Sequence, residues 1–520
     1  MITPTTLLVL APVLFVSAPL LFLLRLLSIY LYDEKGFRKY PNENWASGLT
    51  PLAYGYENAR QPNAYDFHTK RLHNALQTNP VIRIGPNWLS FGRSQAAKDI
   101  YGYTSKNVKA GVYDVMSEGG ANLNNISEKS VHSARRRTVA SSYAPKNIET
   151  WEPKVAASIL DLKDQIDKRC AGDVVFDGVH WFFLFSVEAA IKIMLRKDMY
   201  FLRNGTDHIY FTDEKGKERA VRSIDRFHAV QRAASTVVWD TENMSMWQRL
   251  TNTFSRKYAD NWQAGKDANA ALGSLVKERL QRHENGEELD DPFQPLVGNI
   301  KGEDAGVSFK DQVAEVEQAV GAGTDGPAGS ITMTIYHLLR NPHSLTKLRE
   351  ELDAALTPQD TIAPWEKVKS LPYLHACIDE ALRLSPPVAA NLIRRTPPGV
   401  STVIDGEVIP PNTNVSISAY TAHRDPAVFV NPEKYEPERW LAKGSGRLKE
   451  MLAVFIPFSA GTRGCIGRNV SALLQMCCVA TLVYWYEFEL EVEGWEMEFE
   501  EWFNLWPLRL PMRVRKREVV

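Results

Sequence analysis

Residues 458–467 read Phe458-Ser459-Ala460-Gly461-Thr462-Arg463-Gly464-Cys465-Ile466-Gly467, and from Ile466 an apolar run reaches about Tyr484. That run predicts a helix, so one cysteine sits at a helix mouth. A thiol there meets unpaired backbone N–H groups and the positive end of the helix dipole, both of which favour the thiolate. Thiolates bind metals. Gly461, Gly464 and Gly467 let the loop turn tightly and lie flat against something large and planar. Arg463, two residues before the cysteine, suits a carboxylate on that object.

A planar, metal-bearing group with carboxylates is haem. The spacing Phe458-x-x-Gly461-x-Arg463-x-Cys465-x-Gly467 resembles the haem-binding loop of the cytochrome P-450 family at every fixed position. The resemblance implies that Cys465 is the axial metal ligand of a haem b, that its electron push favours O–O cleavage, and that Phe458 packs beside its sulfur. A lone cysteine after a glycine-rich turn is ordinarily a buried core residue. Five matched positions set that reading aside.

The 520 residues carry a net charge of −1, with 44% hydrophobic and 10% aromatic residues. This composition supports a sizeable core, and the absence of a basic excess excludes nucleic acid as the partner. No linker of disordered composition interrupts the chain, which favours one large catalytic domain. Cys170, Cys377, Cys465, Cys477 and Cys478 form neither a C-x-x-C pair nor an even framework. A reducing compartment follows, with no zinc site and no disulfide scaffold. Cys477 and Cys478 read as core residues of the helix after the loop.

From Ile2 to Leu24 the chain has no charge and is long enough to cross a bilayer. Arg25, Lys35, Arg38 and Lys39 follow, with Tyr30 and Tyr32 as interfacial anchors, so the bulk of the chain should face the cytoplasm. No basic residue precedes the run and no small-residue cleavage site follows it, which argues against a signal peptide. We therefore divide the chain into a membrane anchor, residues 1–32, and a catalytic domain, residues 33–520. By resemblance this is the single-pass plan of microsomal members, which sit in the endoplasmic reticulum with the body in the cytosol.

Between Pro80 and Gly92 alternation around Gly85-Pro86 predicts two short strands. The stretch from about Thr104 to Ser127, rich in Gly, Asn and Ser, reads as loop, and the family uses this region to cover substrate. His132 and Arg136 share a face of a predicted helix. By resemblance they hold haem propionates, while Arg135 and Arg137 assist docking of a redox partner.

Gly321-Ala322-Gly323-Thr324-Asp325-Gly326 matches the dinucleotide signature G-x-G-x-x-G literally. That signature needs a preceding strand, whereas Val313, Val316 and Val320 before it and Ile331, Ile335 and Leu338 after it recur at helical spacing. The glycines lie inside one long helix. It resembles the family's distal helix, with Ala322-Gly323-Thr324-Asp325 in the place of its Ala/Gly-Gly-x-Asp/Glu pattern. The resemblance implies catalytic roles for Gly323, Thr324, Asp325 and Gly326: glycine for close approach to haem and Asp325 to gate protons. The position after the acid usually carries threonine. Here it is Gly326, followed by Pro327, which removes a helix hydrogen bond and forces a kink. Proton delivery then falls to water, to Ser330, or to a hydroxyl on the substrate.

Glu380-Ala381-Leu382-Arg383, then His423-Arg424-Asp425-Pro426, then Pro437-Glu438-Arg439-Trp440 precede the cysteine loop in the family's order of blocks. By resemblance Glu380, Arg383 and Arg439 form a buried structural network, and Arg394 is another propionate ligand. Phe503-Asn504-Leu505-Trp506-Pro507-Leu508 resembles the apolar turn aimed into the active site, with Trp506 either lining the pocket or sitting in the core. Arg513 to Arg517 reads as a solvated tail.

The expected fold is mainly α with a small β domain, the cytochrome P-450 fold behind an N-terminal transmembrane helix. The expected activity is insertion of one oxygen atom from O2 into a small lipophilic substrate. The N-terminal third resembles fungal members that tailor secondary metabolites, so a metabolite of that kind is the expected substrate. Electrons would come from NADPH through a separate cytochrome P-450 reductase, because no flavin or nucleotide motif survives its context. Gly326 keeps a redox-neutral isomerase or dehydratase on the same fold as an alternative, and a haem protein without turnover is the alternative outside enzymes.

Overall fold

The computed structural model describes residue 17 and residues 20–60, 65–116, 119–170, 174–213, 215–298, 305–442 and 444–519. Most of the uncharged stretch Ile2–Leu24 lies outside them. Within them, Leu20–Tyr32 is a short apolar helix whose Leu21, Leu23, Leu27 and Leu31 are exposed. The one described helix long and apolar enough to cross a membrane is Gly178–Leu195, and it is 89% buried. Its burial on nearly every face is that of a helix surrounded by protein.

The architecture is organised around the distal helix, Phe309–Arg340, which at about 1.5 Å per residue spans roughly 48 Å. Ser308 caps it by accepting from the Asp311 N–H. Val313, Val316, Val320, Ile331, Ile335 and Leu338 are buried along one side, against Gly178–Leu195, Pro372–Leu384 and the cysteine helix Arg468–Trp485. Trp151, Ile159 and Leu162 of Pro145–Cys170 complete this principal core. The helix stays continuous across the glycines and Pro327.

The largest sheet has five strands in the order Val81–Gly85, Trp88–Phe91, Asn414–Ser416, Arg394–Arg395, Val108–Lys109. The first two pair antiparallel around the Gly85-Pro86 turn, and Asn414–Ser416 pairs in parallel with the second. Phe91, Leu89, Val415, Ile404 and Ile409 give this region its own core.

Two expectations need correction. Thr104–Ser127 is not all loop: Val108–Lys109 pairs with Arg394–Arg395, and Val112–Met116 is a helix. Arg513–Arg517 is not a free tail either. Pro511–Lys516 pairs with Tyr486–Leu490, and Arg517 takes both oxygens of Asp353 at 2.7 and 2.6 Å. Alternating Met512 and Val514 face the core while the arginines face water, which is strand periodicity on the middle strand of a three-stranded sheet.

Candidate active site

A cavity of about 1400 Å³ lies between the cysteine loop, the distal helix, the Arg394 strand and the helix Ser223–Val237. Cys465 is its floor. The turn before it is closed by Cys465 N–H donating to the Phe458 carbonyl at 2.8 Å and Gly464 N–H to Gly461 at 3.1 Å. Gly461 has φ +65°, and a Cβ there would stand 2.3 Å from the Tyr101 carbonyl oxygen. No other residue fits that position.

Of the five cysteines Cys465 alone is exposed, and its exposure is onto this cavity, deep in the protein. Burial pushes its thiol up; the N–H groups of Gly467 and Arg468 and the charges of Arg136 and Arg468 pull the other way. The helix-mouth effect read from the sequence is therefore present but outweighed by burial. Ionisation needs the charge of a bound metal. Phe458 and Gly467 line the same floor, and the Arg468 guanidinium lies 5.6 Å from the centre of the Phe458 ring.

Around the rim stand Arg463, Arg394, His132, Arg136 and Lys109. Arg463 donates to the carbonyls of Ile126 and Ser127, both at 2.7 Å. Arg136 donates to the Gly464 carbonyl at 2.8 Å and so braces the loop. Arg394 lies 5.1 Å from the Tyr101 ring centre, and Lys109, its cross-strand neighbour, lies 4.5 Å from that of Tyr113 and donates to the Asn124 carbonyl.

These groups repel one another. Burial and then Arg394 bring Arg463 down to about 10. Burial, then Arg394 and Arg463, hold Lys109 well below the usual lysine range. Burial, then Arg463, Lys109, Arg136 and Arg394, bring His132 down to about 3, so its ring is neutral at pH 7. A buried cluster of one sign is costly unless an anion completes it. Haem supplies two propionates, so these residues fit it.

The distal wall is Ala322, Gly323, Asp325, Gly326 and Pro327. Thr324 does not line it: its hydroxyl donates to the Val320 carbonyl at 2.7 Å. Ser330 is likewise occupied, donating to Gln475 at 2.7 Å. Asp325 is held by three groups. His228 Nε2 lies 2.9 Å from Oδ1, while Asn504 Nδ2 and Trp506 Nε1 donate to Oδ2 at 2.6 and 3.0 Å. Trp506 stacks on His228 with ring centres 3.8 Å apart. Phe503 and Asn504 line the cavity; Trp506 is buried behind them as a donor to Asp325.

Glu380, Arg383 and Arg439 are brought together behind the loop. Arg383 binds both oxygens of Glu380 at 2.9 Å, and Arg439 Nε reaches Oε1 at 3.0 Å. Trp440 Nε1 and the Glu436 N–H also donate to Glu380, at 3.0 and 2.9 Å. Arg383 donates to the His423 carbonyl at 3.0 Å, and His423 Nε2 accepts from the Ile456 N–H at 2.8 Å, two residues before Phe458. Arg135 does not point outward for a partner: it pairs with Glu315 at 2.8 Å and Asp311 at 3.6 Å on the distal helix, while Arg137 is exposed.

Lys109 and His228 carried no sequence signal. Each joins the site only through long-range contact, Lys109 by strand pairing to Arg394 and His228 across to Asp325.

The family model of cytochrome P-450 matches residues 90–511. The chain belongs to the cytochrome P-450 family. It is 29% identical over 454 residues to a cytochrome P-450 monooxygenase of Neocamarosporium betae, covering 86% of this chain and 85% of the relative. It is 26% identical to one from Penicillium oxalicum, covering 78% and 76%. Pisatin demethylase of Fusarium vanettenii is 28% identical, covering 82% and 81%. The crystal structure of the cytochrome P-450DA haem domain superposes with a TM-score of 0.69 at 16% identity, over 89% of this chain and 96% of that one, which shows the fold. The chain is thus a haem-thiolate cytochrome P-450 monooxygenase.

Proposed function

We propose that Cys465 holds the haem iron, that Arg463, Arg394, Lys109 and His132 take the propionates, and that Arg136 braces the loop. The substrate is a small lipophilic intermediate of secondary metabolism, bound against Gly323 and Gly326. NADPH supplies electrons through a separate cytochrome P-450 reductase, and the anchor, residues 1–32, holds the catalytic domain, residues 33–520, on the cytosolic face of the endoplasmic reticulum. Haem, when bound, supplies the one-electron and dioxygen chemistry. The chain's own groups do the rest. The mostly apolar walls exclude water, the cationic rim orients the bound group, and Asp325, bonded to His228, gates protons at a wall that has no hydroxyl at position 326. Glu380, Arg383 and Arg439 keep the loop in place from behind.

The observation that carries this reading is the juxtaposition of Cys465 with a rim of mutually repelling cations around one large cavity. The test is the reduced, carbon-monoxide-bound difference spectrum of membranes carrying the full chain. A strongly red-shifted Soret band, abolished in Cys465→Ala, is expected; a histidine-type band would overturn the axial ligand. Product formation should require NADPH and reductase. Turnover without reductant would select the redox-neutral reading that Gly326 favours.

A further inference from the structure

We propose that Gln231 reads a neutral hydrogen-bond donor, a hydroxyl or an N–H, on an otherwise apolar substrate; this rests on the cavity being the haem and substrate site. The helix Ser223–Val237 turns Phe227, Gln231, Ala234 and Ser235 into the cavity, spaced as one helical face. On that stripe Gln231 carries the amide and Ser235 a hydroxyl. Its Oε1 is buried and has no hydrogen-bond partner. Such atoms are rare in folded proteins, and one that lines a cavity points to a ligand that completes it.

Several neighbouring polar groups are already engaged. On the same helix His228 turns to Asp325, and Arg232 takes both oxygens of Glu500 at 2.7 Å. Across the cavity Glu317 accepts from Asn269 at 3.3 Å. Among the described lining residues the other orphaned buried polar atom is Ser459 Oγ, which belongs to the cysteine loop. An amide carbonyl accepts and carries no charge, so it selects a donor without requiring a cation. A site built to bond a hydroxyl rejects an analogue that cannot donate.

The haem-loaded full chain is titrated with 1-(ω-hydroxyalkyl)imidazoles of about four to about ten methylenes and with their methyl ethers, following the ferric Soret band. The imidazole anchors each probe at the iron, and the series scans the distance to Gln231. At one or two lengths the alcohol should bind about ten-fold more tightly than its ether. That preference should fall to within about two-fold in Gln231→Leu and in the closer-shaped Gln231→Met, each first checked for its carbonyl spectrum. No discrimination at any length, or discrimination that survives both substitutions, would overturn the role of Gln231. Failure of 1-methylimidazole itself to shift the Soret band would instead remove the haem site on which the proposal rests.

Discussion

At Gly326 the structure separates what the backbone needs from what the chemistry lacks. A Cβ built there meets nothing within 4 Å, and Gly326 stands on the cavity wall beside Asp325. No left-handed φ demands glycine, and apart from the Pro327 ring that follows it nothing crowds the position. A Cβ before a proline in a helix meets the ring, so Gly326→Thr should fold but be destabilised, by about 1–3 kcal/mol in denaturant unfolding. With a hydroxyl restored beside Asp325, the ratio of NADPH consumed to product formed should change. An unchanged ratio would mean that the His228–Asp325 pair suffices. The cysteine loop was legible because its turn constrains nearly every position within ten residues, as the Gly461 contact with Tyr101 illustrates. Lys109 was not, because nothing local announces that a two-residue strand will lay it beside Arg394.

At the scale of elements, Glu380 holds together the helix Pro372–Leu384 and the turn Pro437–Trp440, and is fully buried. It accepts from two arginines, an indole and a backbone N–H. Glu380→Ala leaves Arg383 buried without its counter-charge, an effect of about 3–5 kcal/mol. The substitution should lower the denaturation midpoint and loosen the carbonyl spectrum without any contact to haem. Block order in the sequence exposed this network, although one Glu-x-x-Arg pair alone would have meant little. A second carboxyl was silent in the sequence. Glu501, on the strand Phe499–Glu501, is buried against Thr69 of the segment Tyr65–Lys70, and burial pushes it up to about 8. The folded state then holds a proton that the unfolded chain releases above its ordinary value of 4.5. Stability from this group is full below that value and declines as pH rises toward 8. Glu501→Gln should flatten this decline and raise the melting temperature at pH 7.5 more than at pH 5, as calorimetry across that range would show.

For the whole molecule the question is where the folded body begins. Asp33 accepts from the backbone N–H groups of Phe37 and Arg38 at 2.8 and 3.0 Å, and Phe37 enters the core around Leu89 and Phe91. Just before it, the Arg83 guanidinium lies 5.5 Å from the ring centre of Tyr30, whereas Leu21, Leu23 and Leu24 are exposed. Apolar side chains gathered on one exposed helix, on a chain whose net charge is only −1, require another nonpolar surface. The body does not depend on them, since its principal core draws on residues from Val139 onward and its sheet core on residues from Phe37. A chain beginning at Ile29 keeps the Tyr30 contact and loses the exposed leucines before it. It should retain the carbonyl spectrum and the denaturation midpoint of the full chain. It should also move from the membrane pellet toward the soluble fraction after high-speed centrifugation. Loss of the spectrum would place part of the haem domain's stability in the first 28 residues. Unchanged pelleting would assign membrane attachment to the body rather than to the first 28 residues.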